Sequence, residues 1–199
     1  MTVGPSYSAI APLYIDLFGD IGATHPDDLA FIEGHLGGAA GPVLDAGCGP
    51  GHLTDHLHRM GVDAWGLDLV PEFVDHARAA HPRVPFRLGS LHALDVADHS
   101  LAGILAWFSL IHMPPAELAG ALAGFHRALA PGGTLVVGFC DGPVLEPFAH
   151  KVTTAYRLPA DEMAARLADA GFVETGRMQR PAEGTQRPIA ALAATARHG

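Results

Sequence analysis

The sequence predicts an α/β fold: a seven-stranded, mostly parallel sheet with helices on both faces, its last strand antiparallel, and a helical flap at the N-terminus. Three observations carry this. Short apolar bursts alternate with helical stretches from Val43 to Cys140, the rhythm of repeated βαβ units. Those bursts are almost continuously apolar, as strands covered on both faces must be. After Cys140 the rhythm breaks, and the chain finishes with two strand-like segments that no helix separates, so they pair antiparallel.

Taken in order, residues 1–41 read as two helices. Tyr7, Ile10, Tyr14, Leu17 and Phe18 recur at helical spacing, and Leu29, Ile32, His35 and Leu36 do so again behind the start signal Pro26-Asp27-Asp28. Val43–Ala46 is a short strand ending in glycines, with a helix near Gly51–Met60. Asp63–Leu69 is a strand and Pro71–His81 a helix with proline at its start. Val84–Leu88 and Leu101–Phe108 are the next strands, followed by a helix over Pro115–Leu129. The turn Pro131-Gly132-Gly133 leads into the fifth strand, Thr134–Cys140. Asp141–Pro159 shows no clear element. A helix over Ala160–Ala170 stops at Gly171, and Phe172–Arg180 and Pro188–Ala196 form strands joined by the turn-rich Pro181–Gln186. At roughly 150 residues per domain, 199 residues make one domain. Its parts are the flap (1–41), a core (42–140), an irregular segment on the ligand side (141–159) and a helix with a terminal hairpin (160–199).

Composition excludes several functions. Twelve Lys and Arg stand against 21 Asp and Glu, a formal charge of −9, with the basic residues scattered. Such a chain offers no footprint for a nucleic-acid backbone. Seven acids precede the first basic residue, Arg59, which argues against a secretory or transit leader. The longest strongly apolar stretch, Leu101–Met113, stops at Pro114-Pro115, short of the ~20 residues a membrane span needs. Two cysteines make no disulfide framework, so a reducing, cytoplasmic setting is expected. The expected partner is a small molecule, and oligomeric state is not readable.

The most informative segment is Val43-Leu44-Asp45-Ala46-Gly47-Cys48-Gly49-Pro50-Gly51. A strand runs into glycines that open into a helix, so a ligand can touch bare backbone at the helix N-terminus. About twenty residues after the first glycine, Asp68 closes the next strand, where a carboxylate can accept both ribose hydroxyls. The dinucleotide fingerprint needs a third glycine where His52 stands. Asp45, just before the loop, would repel a pyrophosphate but suits an ammonium. S-adenosylmethionine, with its ammonium, sulfonium and adenosine, accounts for both acids; NAD accounts for one.

From Gly41 onward the chain resembles the class I S-adenosylmethionine-dependent methyltransferases. The likeness lies in VLDAGCGPG (43–51), GLDLVPEFVDHAR (66–78), RLGSLHALD (87–95) and GILAWFSLIHMPPAELAGALAGFHRALAPGGTLVVGF (103–139). The resemblance implies a Rossmann-like sheet whose sixth and seventh strands form the trailing hairpin. It puts Asp45, Gly47, Cys48 and Gly49 along the methionine moiety, Asp68 on the ribose and Leu69 against the adenine. Ser90-Leu91 fall where the family carries an acid or polar residue and a hydrophobe near the adenine; serine weakens the expected bond to the amino group. Trp107 matches the position facing the methionine part and the reacting methyl.

In such a reaction the protein mainly aligns nucleophile, methyl and sulfur, with a general base where the acceptor loses a proton. His112, just past the fourth strand at the ligand edge, is the candidate base. The alternative is that it caps the helix start at Pro114-Pro115 or packs beneath the flap. Tyr7 and Tyr14 lie on the helix that in family members closes over the cofactor, or form its core face. Tyr14, His112, His150 and Tyr156 are candidate substrate contacts. His52, His56 and His58 crowd one helix, but they lack zinc spacing and read as a solvated face, so no metal is expected. Cys48 reads as packing, not as a nucleophile. Methyl transfer to a small-molecule acceptor is the leading reading, with secondary metabolites a candidate class by family analogy. Its rivals are cyclisation or elimination on the same cofactor fold, an NAD-dependent oxidoreductase, and a non-catalytic cofactor-binding module.

Overall fold

A computed structural model describes residues 3–182, 184 and 187–198. The elements are α1 (Val3–Ser8), α2 (Ala11–Phe18), a 3₁₀ turn (Ile21–Ala23), α3 (Pro26–Leu36), β1 (Val43–Ala46), α4 (His52–Arg59), β2 (Ala64–Asp68), α5 (Pro71–Ala80), β3 (Phe86–Leu88), a second 3₁₀ turn (Leu91–Ala93) and β4 (Leu101–Trp107). There follow α6 (Pro115–Ala128), β5 (Leu129–Cys140), β6 (Glu146–Ala149), β7 (Thr154–Arg157), α7 (Ala160–Asp169), β8 (Phe172–Arg180) and β9 (Ile189–Ala196). The main sheet has seven strands in the order β3-β2-β1-β4-β5-β9-β8. β9 alone is reversed, running antiparallel to both β5 and β8. The order turns back on itself between β1 and β4, which opens a ligand crevice at the C-terminal ends of those strands.

Both sheet faces are covered. One face carries α6 and α7, with Phe125, Leu122, Met163 and Leu167 packed on Leu135, Val137 and Phe139. On the other, Ile32 and Leu36 of α3 and Leu53 and Leu57 of α4 pack on Val43, Leu105 and Val136. The strands are therefore apolar on both sides; β9 is buried at seven of its eight positions.

The structure corrects three expectations. The first predicted helix is broken into α1 and α2, because Pro12 stands in the first turn of α2, where a ring without an N–H can begin a helix but not continue one. Asp141–Pro159 is not irregular: β6 and β7 pair antiparallel, Glu146 opposite Arg157 and Phe148 opposite Ala155. Pro147 inside β6 masks the strand pattern, since proline is tolerated only on an unpaired edge. β5 also begins earlier than expected, at Leu129, which pairs with Leu101. The predicted turn Pro181–Gln186 includes Glu183, Thr185 and Gln186, which lie outside the described residues.

The flap is tied to the sheet by a buried ion pair. Arg180 of β8 donates two bonds to the Asp28 carboxylate of α3, at 2.8 and 3.1 Å. Removing one partner leaves the other charge buried and unpaired. Asp28→Ala is expected to cost about 3–5 kcal/mol in urea unfolding. The double substitution with Arg180→Met should recover much of that loss, and an Asp28→Ala midpoint equal to wild type would refute the assignment.

Candidate active site

The loop between β1 and α4 is shaped by close approach. Gly47, at φ 84°, lies against Ser109, whose side chain occupies the space a Cβ at position 47 would need. Gly51, at φ 91°, is crowded by the Ala77 methyl and the Phe86 ring, each 2.8 Å from where its Cβ would stand. Both positions require glycine. The Gly47 and Cys48 amides donate to the Leu67 carbonyl, at 2.7 and 3.0 Å, locking the loop to β2. Asp68, at the end of β2, accepts the amides of Gly49 and Val70, both at 2.8 Å. The Leu69 amide also bonds this carboxylate, which keeps lone-pair capacity for a further donor.

Asp45 lies at the root of this loop, only 2% exposed, and accepts one bond from Thr54 Oγ1 at 2.6 Å. Burial pushes its carboxyl up to about 7; the Thr54 bond opposes the shift and Asp68 adds to it. Beside Gly47, Ser109 Oγ is buried without a partner among the described residues. A buried carboxylate with no counter-cation among the described residues and a buried hydroxyl without a partner among them, flanking the glycine loop, fit a ligand carrying an ammonium and acceptor groups. The amino-acid part of S-adenosylmethionine meets that description.

The remaining expected cofactor residues divide. Leu69 is exposed (46%) beside Asp68. Leu88, the register partner of Asp68, is exposed too (56%), giving an apolar surface next to the acid. Ser90 is spent on local structure, accepting the His92 amide at 3.2 Å to cap the second 3₁₀ turn. Leu91 is half-buried against the main core. The Cys48 side chain turns away from the loop surface, packing with Val74, Ala77, Val84 and Phe86, so only its backbone is available. Burial pushes its thiol well up. Trp107 lies across Gly138 of β5 and packs with the α3-side cluster. The next residue, Phe108, sits in the left-handed region at φ 54°, a strain of about 1–3 kcal/mol of the kind that gathers at functional sites.

Opposite the loop, His112 is buried beneath the flap. Its Nδ1 lies 2.8 Å from the Thr154 carbonyl and its Nε2 2.9 Å from the Tyr7 hydroxyl. A carbonyl only accepts, so Nδ1 carries the proton and the Tyr7 O–H donates to Nε2. Burial lowers the basicity of His112 and raises the Tyr7 phenol well above its ordinary value. The capping alternative fails, because α6 has no side-chain N-cap bond. His150 stacks edge-on against His112 with ring centroids 5.0 Å apart, and burial pushes it down to about 4.

Two further candidate substrate residues have distinct surroundings. The Tyr14 ring roofs the cofactor loop, 4.0 Å from where a Gly49 Cβ would stand, held by Tyr7, Phe18 and Phe73. Tyr156 lines an apolar recess with Leu110, Leu118 and Met163, and its amide donates to the Ile111 carbonyl at 2.7 Å. Sequence reasoning missed Thr54, Leu88, Phe108 and Ser109. Ser109 had one available signal, its place directly after β4 at the ligand edge. Among the described residues, no group of three or more His, Cys, Asp or Glu is placed to hold a metal, and no helix is long and apolar enough to cross a membrane.

Comparison with known proteins points to the same fold and domain type. Residues 43–133 match the family model of the methyltransferase domain. The chain is 32% identical over 121 residues to a malonyl-[acyl-carrier protein] O-methyltransferase of Erwinia billingiae, covering 59% of this chain and 46% of that protein. Among solved structures, a 1,6-didemethyltoxoflavin-N1-methyltransferase of Burkholderia thailandensis, with its substrate and S-adenosylhomocysteine bound, superposes with a TM-score of 0.76 at 22% identity, over 100% of this chain and 92% of that one. The [4+2]-cyclase SpnF superposes at 0.79 with 18% identity, over 99% and 96%. Residues 43–133 thus resemble a methyltransferase domain, and the chain shares the fold of these solved structures. The chain spans about half the length of the first curated relatives it matches, 46% and 42% of theirs.

Proposed function

We propose that the protein transfers the methyl group of S-adenosylmethionine to a small-molecule acceptor held between the flap, the loop after β4 and the β6–β7 hairpin. The observation that carries this reading is Asp45, a buried carboxylate with no counter-cation among the described residues, at the root of the glycine loop. In this reading Asp45, Ser109 and the backbone of Gly47, Cys48 and Gly49 hold the methionine part. Asp68 takes the ribose, and Leu69, Leu88 and Leu91 border the adenine. When bound, the cofactor supplies an activated methyl on a cationic sulfur.

The chain's own contribution is alignment, a factor that can contribute about 7–11 kcal/mol. Tyr14 closes over the loop and excludes water, while the 108–112 turn sets the acceptor's position. Where the acceptor loses a proton, the Tyr7 oxygen takes it as the Tyr7 proton passes to His112 Nε2. The resulting imidazolium keeps its Nδ1–H on the Thr154 carbonyl. This relay is worth roughly 10²–10⁴-fold.

Two measurements test the reading. Isothermal titration should show S-adenosylhomocysteine binding and no binding of NAD; the reverse would overturn the assignment. Mass analysis of an acceptor panel incubated with methyl-deuterated S-adenosylmethionine should find product carrying the label, whereas a rearranged, unlabelled product would favour cyclisation. With a proton-losing acceptor, Tyr7→Phe and His112→Gln should each lower kcat by about 10²-fold, and the double variant by little more, since the two act as one relay. Fully additive losses would refute the relay.

A further inference from the structure

The acceptor end of the site carries a local charge opposite to that of the molecule. The chain has a net charge of −9 and a single lysine. That lysine, Lys151, stands in the β6–β7 turn. Arg187, just before β9, lies over the Phe148 ring of the same hairpin, its guanidinium carbon 4.3 Å from the ring centroid. Arg187 also donates to the Ala149 carbonyl at 3.3 Å. Phe148 is followed along the hairpin by His150, the two ring centroids 6.2 Å apart, and His150 stacks on His112. A continuous row of side chains thus leads from Arg187 to the Tyr7–His112 pair.

Elsewhere most cations are neutralised. Asp55 pairs with Arg59, Glu162 with Arg166, Glu174 with Arg177 and Asp28 with Arg180. Among the described residues neither Arg187 nor Lys151 has a carboxylate partner. The acids at this end are already committed: Glu146 to Arg157, and Asp141 to the Gln179 amide and the Gly142 N–H. Arg187 is also pre-oriented. Stacking on Phe148 and the bond to Ala149 fix the guanidinium plane while leaving most of its five N–H donors free for a planar acceptor.

We infer that Arg187, with Lys151 on the turn of the same hairpin, forms an anion-binding subsite that holds a carboxylate or phosphate group of the acceptor at the hairpin end of the site. This rests on the methyl-transfer reading above and specifies its substrate class: an anionic small molecule, recognised through a group remote from the reacting atom. The field is local. The nearby acids Glu146 and Asp141 are already bonded, and salt screens exposed charges over ~10 Å at 0.1 M.

Titration of the full chain saturated with S-adenosylhomocysteine tests it, using benzoate, hexanoate and phenyl phosphate beside their neutral counterparts benzamide, hexanamide and phenol. At least one anion should bind about tenfold more tightly than its counterpart, the minimum for a charge-assisted bond of about 1.5 kcal/mol. Arg187→Gln should reduce that preference to below about threefold and Lys151→Gln should weaken it less, with S-adenosylhomocysteine affinity unchanged in both. Benzoate and phenyl phosphate separate a carboxylate site from a phosphate site. The inference falls if no anion outbinds its neutral counterpart, or if the preference survives Arg187→Gln. Failure of S-adenosylhomocysteine itself to bind would instead remove the methyl-transfer reading, and the subsite with it.

Discussion

Gly47→Ala will abolish measurable cofactor binding and lower thermal stability. Two costs combine at this position. The backbone stands at φ 84°, where a residue with a Cβ is penalised by roughly 1–2 kcal/mol. The added methyl also meets Ser109, which cannot withdraw because the preceding residue, Phe108, is already held at φ 54° by the bond of its amide to the Gly138 carbonyl at 2.9 Å. Overpacking of this kind costs about 1–3 kcal/mol. At about 2–4 °C per kcal/mol for a chain of this size, the melting temperature should fall by roughly 5–15 °C. Gly49→Ala is the contrast: at φ 53° it shares the conformational cost, but among the described residues its Cβ would meet only the Tyr14 ring at 4.0 Å, so stability should drop less while cofactor affinity still falls. Adding Ser109→Gly to Gly47→Ala should restore the packing part of the loss and leave the conformational part. A Gly47→Ala protein with unchanged melting temperature and S-adenosylhomocysteine affinity would show that the loop tolerates a Cβ.

What the sequence made legible was local. The glycine loop, Asp45 before it and Asp68 at the next strand end lie within 24 positions of one another, and their chemistry follows from spacing alone. The alternation of strands and helices, with two final strands that no helix separates, likewise pointed to a seven-stranded, mostly parallel sheet with a reversed last strand. The illegible parts are contacts between distant positions. Tyr7 meets His112 across 105 residues and Asp28 meets Arg180 across 152, and no periodicity encodes either pair. The β6–β7 hairpin was hidden for a similar reason. Pro147 disguises the strand, and the hairpin is held by its own docking on the loop after β4, through Tyr156 to Ile111 and Thr154 to His112. Pro12 shows the converse: its local signal was present, but the helical spacing of the surrounding apolar residues outweighed it. The contacts of Tyr14 near Gly49 and of Ser90 with the His92 amide are likewise set by the folded backbone and carry no periodic signal.

S-adenosylhomocysteine affinity will rise with pH through neutrality, and Asp45 is the reason. Its carboxyl is pushed from 3.8 to about 7, first by burial. The folded, ligand-free protein therefore holds this proton more tightly than the unfolded chain does, so between pH 4 and 7 the folded state binds more protons than the unfolded state. Stability from this group then falls as pH rises across that window, by on the order of 4 kcal/mol over the whole shift. A ligand ammonium reverses the balance, because it is attracted by the ionised carboxylate and gains little from the protonated one. Affinity should thus climb by up to about tenfold per pH unit from pH 5.5 toward 7 and level off above, until the ligand's own ammonium deprotonates. Asp45→Asn separates the two effects. The amide keeps a partner for Thr54 and removes the buried charge, so the ligand-free protein should melt higher than wild type at pH 8. Its S-adenosylhomocysteine affinity should be at least about tenfold weaker at that pH, with the pH slope reduced to whatever Asp68, which burial also raises, contributes. Calorimetric titration at four pH values, with thermal melts of the free proteins, reads both quantities. An Asp45→Asn variant that binds as wild type does, with the same slope, would mean that the carboxylate serves Thr54 and the loop rather than a cationic ligand.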